Sequence, residues 1–302
     1  MAKITKTASF HVSDLDGKQR LDLYLASQNE ELTRTIVANA ALWLNGKPAK
    51  KGNPVQTGDE IRIEYTLTVF DGLTPQQIDF SILYEDDSIL VINKPQGLVV
   101  HPAAGNWDNT LANGLLHRYG ERILSVQDEG KAGVRPGIVH RLDKETSGLM
   151  VIALTQAAHR ALGAQFKDRS TSKIYIALVA GKVKNAKGTI DLHIRRDPSN
   201  RKKMAVCSDD NGRQALTEYT VLRQFRDCAL LYLVLHTGRT HQIRVHLNAI
   251  GHPVVGDPLY GREVEEGMML HAKSLAFAHP VTGERMTFTA PLPRRFFDYL
   301  KL

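Results

Sequence analysis

Apolar residues at helical spacing are the first clear pattern in this sequence. Leu21, Tyr24 and Leu25 fall on one face of a helix, which predicts a short amphipathic helix near the start of the chain. Thr33 precedes Ile36 in the position from which a threonine side chain caps a helix N-terminus. The sequence therefore predicts a second helix directly after the first.

Strand patterns follow these two helices. An apolar run leads into Asn45-Gly46, a dipeptide typical of the tight turn between hairpin strands. A strict apolar/polar alternation over 60–65 follows a Gly58-Asp59 turn and predicts a half-buried strand. The order helix, helix, hairpin predicts a small α/β domain over residues 1–70, with a core at about 18–65.

Beyond a connector at residues 71–79 the pattern becomes rich in strands. Apolar runs predict strands, and helical spacing predicts helices, in this order: strands at 89–93 and 149–154, a helix at 157–166, strands at 173–181 and 229–236, and a helix at 241–250. Because helices do not alternate regularly with these strands, the pattern favours the α+β class with a mixed, mostly antiparallel sheet. The predicted second domain covers residues 80–302.

Composition and charge narrow the class of protein. The chain has 302 residues, and 39 Lys and Arg against 32 Asp and Glu give a net charge of +7, which favours a polyanionic partner. No apolar run approaches the roughly 18 residues of a membrane-spanning helix, and we expect no membrane association. The first residues lack the pattern of a secretory signal, and only Cys207 and Cys228 are cysteines, so we expect a cytoplasmic protein.

The excess positive charge lies outside the first predicted domain. Residues 1–70 hold nine basic and eight acidic residues, whereas two later stretches are strongly basic. One runs from Arg195 to Lys203 and includes Arg201 and Lys202; the other surrounds Arg239 and Arg244. Each stretch taken alone is more simply explained as a solvated basic loop.

The densest polar cluster covers residues 137–148 and lies immediately before a predicted strand, where functional loops often occur. Within it Asp143 is flanked by Arg141 and Lys144, and positive neighbours favour the ionised carboxylate. An ionised carboxylate suits a nucleophile or an electrostatic stabiliser. The alternative is a turn in which Asp143 pairs with Arg141 and caps a helix.

A second cluster covers residues 237–246. Arginine is suited to planar, bidentate contact with carboxylate or phosphate, so one arginine here could hold Asp143 while another binds a phosphate. His236, His241 and His246 are spaced by five residues rather than four and no cysteine pair assists them, so we expect no metal site.

Tyr175 lies in a predicted apolar strand, where it is either a core residue or a platform on which a base stacks. Phosphate-binding loops, dinucleotide-binding motifs and the nucleophile elbow are missing from the sequence. Any chemistry is therefore expected to use side chains without a cofactor. A glycosidase normally needs two carboxylates, and only Asp143 is well placed.

A set of short motifs follows in a fixed order over about residues 80–295: Asn93-Lys94-Pro95, Leu98 to Pro102, His140-Arg141-Leu142-Asp143 with Thr146-Ser147-Gly148, Lys173-x-Tyr175-x-Ala177, Gly238 to His246, His252-Pro253, Gly256-Asp257-Pro258-x-Tyr260-Gly261 and Leu270-His271-Ala272. This ordered set resembles RluA/RluD-type RNA pseudouridine synthases. The resemblance implies a catalytic domain of pseudouridine synthase type, without cofactor or metal.

The resemblance also implies roles for individual residues. Asp143 matches the essential carboxylate, which attacks either the sugar or the base, and Arg244 matches its basic partner. Tyr175 resembles the residue that packs on the target base and assists removal of its carbon-5 proton. Arg141 is similar to the arginine that fills the gap left by the flipped nucleotide. We further expect His140, Arg239 and His241 to contact RNA.

Residues 18–65 resemble the S-four RNA-binding domain through Arg20-Leu21-Asp22, Asn45-Gly46 and Gly58-Asp59. Thr33-Arg34-Thr35 stands where that family often has Ser-Arg-Ser. The expected RNA contacts of this domain are Arg20, Arg34 and Lys47, and those of the basic stretch are Arg201, Lys202 and Lys203.

The expected substrate is structured RNA, with large-subunit (23S) rRNA as the first choice and tRNA as the alternative. A non-catalytic RNA-binding or ribosome-assembly factor on the same fold is the competing function. A monomer is the expectation for the family.

Overall fold

The computed structural model describes residues 2–29, 32–69, 72–103, 105–127, 135–208 and 211–301. The chain forms two compact units, Met1–Gly72 and Leu73–Leu302, called here the N-terminal and C-terminal units. Asp71, at the start of the predicted connector, lies outside the described residues. In the described part of the chain, no helix is long and apolar enough to cross a membrane.

Where the N-terminal unit is described, it contains a four-stranded antiparallel sheet in the order β1-β6-β3-β4, a two-stranded ladder of β2 and β5, and two helices. The elements are β1 (Ala2–His11), β2 (Gln19–Arg20), α1 (Leu21–Gln28), α2 (Arg34–Ala38), β3 (Ala41–Leu44), β4 (Lys47–Ala49), β5 (Pro54–Val55) and β6 (Glu60–Val69).

The predicted helices and hairpin of this unit are confirmed. Leu21, Tyr24 and Leu25 are buried in its core, and the Thr33 hydroxyl accepts a hydrogen bond from the Ile36 N–H at 3.4 Å. The longest strand pairing was not predicted, because the polar, threonine-rich segment of β1 carries a weak strand signal. It becomes a strand by pairing with β6 along all ten of its residues.

The described residues of the C-terminal unit form one ten-stranded sheet, four α-helices and a 3-10 helix. Its elements are β7 (Ser81–Glu85), β8 (Ile89–Lys94), α3 (Leu111–Tyr119), a 3-10 helix (Gly120–Ser125), β9 (Ser147–Ala153), α4 (Gln156–Lys167), β10 (Ser172–Ala180), β11 (Lys187–Arg196), β12 (Met204–Cys207), β13 (Arg213–Gln224), β14 (Cys228–Leu235), α5 (Gln242–Ala249), β15 (Leu270–Ala278), β16 (Arg285–Thr289) and α6 (Arg294–Leu300).

The large sheet has the order β12-β11-β13-β14-β10-β15-β9-β8-β7, and β16 pairs with β15 beside this path. Strands β9 and β15 run parallel, and the other described pairs are antiparallel. The prediction of a mixed, mostly antiparallel α+β fold is therefore confirmed. Strands β8 and β9 are almost completely buried, and five of the nine residues of β10 are buried, so these three strands contribute much of the main hydrophobic core.

Predicted strands and helices of this unit match β8, β9, α4, β10, β14 and α5 within a few residues. The hairpin of β11 and β12 was not predicted. Strand β11 carries several charged side chains, and its core residues Ile190 and Ile194 are too sparse to give a strand pattern, while β12 has only four residues. The basic residues Arg201, Lys202 and Lys203 lie in the loop of this hairpin.

Gly148 is a structural requirement at the join of β9 and β15. Its φ is +119°, and a β-carbon there would overlap backbone atoms of Ala272, its partner on β15. We expect Gly148→Ala to lower the free energy of unfolding by about 3 kcal/mol or more, since neither strand backbone can yield. Urea denaturation measures this change.

Gly163→Ala is the matched control for this prediction. Gly163 lies within α4, and a β-carbon there meets no atom within 4 Å. Alanine should therefore raise the free energy of unfolding by about 0.4–1 kcal/mol. Equal stability of the two variants would show that the strand join tolerates a side chain at position 148.

Candidate active site

The loop that precedes β9 carries Asp143 and is held by hydrogen bonds to the carbonyls of Asp143 and Lys144. The Asp143 carbonyl accepts a hydrogen bond from the Thr146 N–H at 3.1 Å, which closes a tight turn. The next carbonyl, that of Lys144, accepts from the Gly97 N–H at 2.9 Å and from the Lys94 ammonium at 3.1 Å. The turn after β8 therefore holds the Asp143 loop in place.

Lys94 ends β8 and is completely buried. Its Nζ donates to the carbonyls of Pro95 at 2.8 Å and Leu98 at 2.9 Å, besides that of Lys144. Burial lowers the pKa of Lys94 to about 7, although the negative charge of Asp143 opposes this shift. The sequence showed Lys94 only as part of a motif. No sequence signal marked it as buried, since lysine is seldom fully buried.

Lys94→Met tests how this buried amine contributes to stability. The pKa of Lys94 is about 7 in the folded chain and about 10.5 in the unfolded chain. Between these two pH values the amine is protonated only in the unfolded chain. Wild-type stability relative to Lys94→Met should therefore rise with pH from about 7 to about 10, by up to about 1.4 kcal/mol per pH unit. Below about pH 6 the difference should be constant.

Urea unfolding of both proteins across this pH range measures the difference. The comparison cancels every other ionisable group that the two proteins share. A difference that stays constant from about pH 6 to about pH 10 would mean that Lys94 keeps an ordinary pKa.

Arg244, on α5, joins two carboxylates. Its Nη1 donates to Asp143 Oδ2 at 3.0 Å, and its Nε and Nη2 donate to the two oxygens of Asp257 at 2.7 and 2.8 Å. Arg244 is 4% exposed and Asp257 is fully buried, whereas the Asp143 side chain is 18% exposed. Burial lowers the pKa of Arg244, but its hydrogen bond to Asp257 and the charges of both carboxylates raise it above the ordinary value.

Asp257 was not identified from the sequence as a site residue. Its Oδ1 also accepts the N–H groups of Leu259 at 2.9 Å and Tyr260 at 3.1 Å. Burial alone would raise the pKa of Asp257, but its hydrogen bonds and the charge of Arg244 lower it below the ordinary value. Asp257 is therefore an ionised carboxylate that fixes the guanidinium facing Asp143.

Tyr260 was likewise not identified from the sequence as a site residue. It connects the ion pair of Arg244 and Asp257 to the hairpin of β11 and β12. Its ring lies under the Arg244 guanidinium, with 5.2 Å between Cζ and the ring centroid. Its hydroxyl accepts from the Met204 N–H at 2.7 Å and lies 3.0 Å from His241 Nδ1. His241 Nε2 in turn lies 3.9 Å from Asp143 Oδ2. The Lys203 Nζ lies 5.8 Å from the Tyr260 ring centroid.

Tyr175 lies on β10 and is 8% exposed, so it is buried among core residues while still lining the cleft beside Asp143. Burial and the negative charge of Asp143 both raise the pKa of Tyr175 above its ordinary value. The side chain is therefore a neutral phenol at physiological pH, with a flat ring available to a ligand.

A cleft of about 490 Å³ brings these residues together, a volume in the usual range for small-molecule sites. Of the residues predicted from the sequence, the cleft is lined by Asp143, Tyr175, Arg244, His140, Arg141, Arg239 and His241. Arg201, Lys202 and Lys203 are not among the lining residues, and Arg20, Arg34 and Lys47 belong to the N-terminal unit.

His140 and Arg141 lie next to each other but in different surroundings. The His140 ring stacks on Phe166 with 4.4 Å between centroids, and its Nε2 accepts from the Val151 N–H at 3.0 Å. Burial lowers the pKa of His140 to about 3, so the ring is neutral and supports the loop. Arg141, by contrast, is exposed at the edge of the cleft.

In the N-terminal unit, two predicted RNA contacts converge on one buried carboxylate. Arg20 donates to both oxygens of Asp22 at 3.0 and 2.9 Å, and Arg34 Nη2 lies 3.7 Å from the same group. Their side chains remain 52% and 64% exposed. Lys47 is exposed at the start of β4. All three side chains are accessible to a ligand.

No group of three or more His, Cys, Asp or Glu side chains in the described part of the chain has the arrangement of a metal site. The carboxylates nearest the cleft are instead occupied by Arg244. The site thus combines a partly exposed carboxylate, a fixed guanidinium, a neutral phenol and basic side chains at the edge.

Comparison with known sequences decides the family. The family model for RNA pseudouridylate synthase matches residues 88–249, which include Asp143, Tyr175 and Arg244. The chain belongs to the RNA pseudouridylate synthase family. It is therefore an RNA pseudouridine synthase, an isomerase, and the family predicted from the motifs is confirmed.

The relatives of this synthase are similar over nearly their whole length. A Zymomonas mobilis protein named ribosomal large subunit pseudouridine synthase D is 44% identical over 293 residues, covering 91% of this chain and 90% of that protein. The Pseudomonas aeruginosa protein of the same name is 42% identical over 307 residues, covering 95% and 92%. The synthase is thus of the RluA/RluD type.

A solved structure, human RNA pseudouridylate synthase domain containing 1, is similar with a TM-score of 0.57 and 30% sequence identity. The similarity covers 72% of the synthase and 86% of the human chain. It supports the sheet-rich α+β fold described above.

Proposed function

We propose that the synthase converts uridine to pseudouridine in large-subunit rRNA and that Asp143 is its nucleophile. The observation that carries this proposal is the position of Asp143, which is partly exposed to the cleft and hydrogen-bonded to Arg244 at 3.0 Å. The relatives named ribosomal large subunit pseudouridine synthase D support rRNA as the substrate class.

The reaction breaks the bond between nitrogen 1 of uracil and the ribose and forms a bond from carbon 5 to the same ribose carbon. The proton lost from carbon 5 is balanced by one gained at nitrogen 1, so no cofactor or oxidant is required. Asp143 attacks either the sugar or the base, and both routes need an ionised, accessible carboxylate. Arg244 supplies a fixed positive charge beside this carboxylate.

Tyr175 is proposed to pack against the uracil ring. Its phenol is neutral because burial and Asp143 raise its pKa, so it suits stacking better than removal of a proton by a phenolate. A uracil between Tyr175 and Asp143 would have its reacting atoms close to the carboxylate.

Access to the cleft requires the target nucleotide to leave its stack, at a cost of a few kcal/mol. Arg141 is exposed at the edge of the cleft, and its planar guanidinium can occupy the vacated space. We propose that Arg141 stabilises the flipped state and that His140 supports the loop that carries both residues.

Further RNA contacts are proposed for two basic surfaces. Arg201, Lys202 and Lys203 in the hairpin loop would bind phosphates and position the RNA, with His241 and Arg239 nearer the cleft. In the N-terminal unit, proposed as an S-four-like RNA-binding domain, Arg20, Arg34 and Lys47 would make RNA contacts of their own.

The experiment that tests the proposal maps pseudouridines in cellular RNA with and without the gene. Loss of one or more sites in large-subunit rRNA, restored by the wild-type gene, is the expected result. Losses confined to tRNA would overturn the rRNA assignment. Unchanged RNA, together with purified protein that binds rRNA but forms no pseudouridine, would favour a non-catalytic RNA-binding factor.

A further inference from the structure

Basic side chains that the proposed chemical step does not use line one part of the cleft, and of these only Arg239 has already been proposed as an RNA contact. Lys167 ends α4, Arg169 lies in the turn that follows, and Lys173 lies on β10 two residues before Tyr175. Arg239, in the loop between β14 and α5, completes the group. Four positive charges therefore lie around the same cleft as Asp143.

The charges of Arg169, Lys173 and Arg239 repel one another, and none of these side chains has a counterion among the described residues. Burial, followed by the charges of Arg169 and Arg239, lowers the pKa of Lys173, and burial, Arg213 and Arg169 lower that of Arg239. In the described part of the chain, no carboxylate forms an ion pair with any of the four. A bound anion would remove this repulsion.

The backbone conformation of Arg169 also supports an anion-binding site here. Its φ is +61°, a left-handed conformation that asparagine or glycine adopts at lower cost than arginine. The backbone conformation therefore does not favour an arginine at this position. An anion bound beside Lys173 would explain the arginine, because the guanidinium could bind that anion.

Arg244 is not available for such an anion, because its Nε, Nη1 and Nη2 all donate to Asp143 or Asp257. Lys173 is different. It lies two strand positions, roughly 7 Å, from Tyr175 and lines the same cleft. A nucleotide whose base packs on Tyr175 would thus carry a phosphate within reach of Lys173.

We propose that Arg169, Lys173 and Arg239 form a subsite for an RNA backbone phosphate adjacent to the target uridine. This inference rests on the proposed function, because it assigns the contents of the same cleft. The ligand class is a phosphodiester of RNA, bound by charge and by the forked guanidinium geometry of the two arginines.

The test uses Arg169→Asn and Lys173→Gln in the full chain, with a large-subunit rRNA transcript from the source organism. Asparagine suits the left-handed backbone, so Arg169→Asn removes charge without a folding penalty. Each variant should raise KM about tenfold while kcat at saturating RNA stays within about twofold.

Binding supplies a second measurement that does not depend on turnover. With Asp143→Asn present in every protein to prevent reaction, each variant should reduce the slope of log affinity against log salt, and the double variant of Arg169→Asn and Lys173→Gln should approach the reduction of about 0.7–0.9 for one lost phosphate contact. Lys173→Arg should retain both affinity and slope.

Lys182→Gln is the matched control, because Lys182 is exposed beyond the opposite end of β10 and does not line the cleft. If Arg169→Asn and Lys173→Gln change KM and salt slope no more than this control, the subsite proposal is wrong. A loss of kcat without a change in KM would also overturn it. A wild-type protein that forms no pseudouridine would instead refute the proposed function.

Discussion

Asp143→Asn is expected to lower pseudouridine formation by about four orders of magnitude or more, the scale seen when a covalent nucleophile is removed. Asparagine keeps the shape of the side chain but lacks the negative charge and the nucleophilic oxygen. The fold should change little, because Arg244 keeps its two hydrogen bonds to Asp257 and its buried charge remains paired. RNA affinity should also stay close to that of the wild type.

Single-turnover assays with purified protein and rRNA transcript measure the rate, and urea denaturation and RNA binding measure the other two quantities. Glu145→Gln is a matched control, since it removes a carboxylate two residues away in the same loop. We expect its rate to remain within about threefold of the wild type. Turnover by Asp143→Asn close to the wild-type rate would disprove the assigned role.

The sequence predicts an element when the residues of that element determine it, and fails when the element depends on residues far away in the chain. Strands β8, β9 and β10 follow from apolar runs, because a strand buried on both faces needs no other information. Strand β1 does not, because its threonines and lysines form a strand only once β6 lies beside it. Its formation is a tertiary effect.

The same distinction holds within the site. Asp143 was identified from the polar loop around it, and a contact from one of the later arginines was predicted; the structure places Arg244 Nη1 at 3.0 Å. Asp257 follows a glycine and precedes a proline, so on its own it reads as a turn residue. Its role depends on the buried guanidinium of Arg244, which only the folded chain brings to it.

Lys94 and Tyr260 illustrate a further limit. Lysine is seldom fully buried, so the sequence gives no reason to expect Lys94 beneath three carbonyl groups. Tyr260 contacts residues from α5 and the hairpin of β11 and β12, and no periodic pattern encodes such a junction. Both residues belonged to motifs, but a motif alone does not distinguish a residue that contacts the substrate from one that holds other site residues in place.

Asp257→Asn is expected to have the largest effect on stability, because it leaves the buried Arg244 charge without its bidentate partner. Breaking a buried ion pair on one side costs about 3–5 kcal/mol. The low pKa of Asp257 and the high pKa of Arg244 keep both groups charged, so this loss should be nearly constant from about pH 5 to about pH 9. Urea denaturation at several pH values measures it.

Asp257→Asn should also lower kcat by about 100-fold at a temperature where the variant is folded, while KM stays within about threefold, because Arg244 loses its fixed position beside Asp143. A merely structural role would reduce the amount of active protein without changing kcat per folded molecule. The double variant with Arg244→Met separates these effects, because Asp257→Asn should cost much less stability once the guanidinium is gone. An equal stability cost in both backgrounds would show that Asp257 does not act through Arg244.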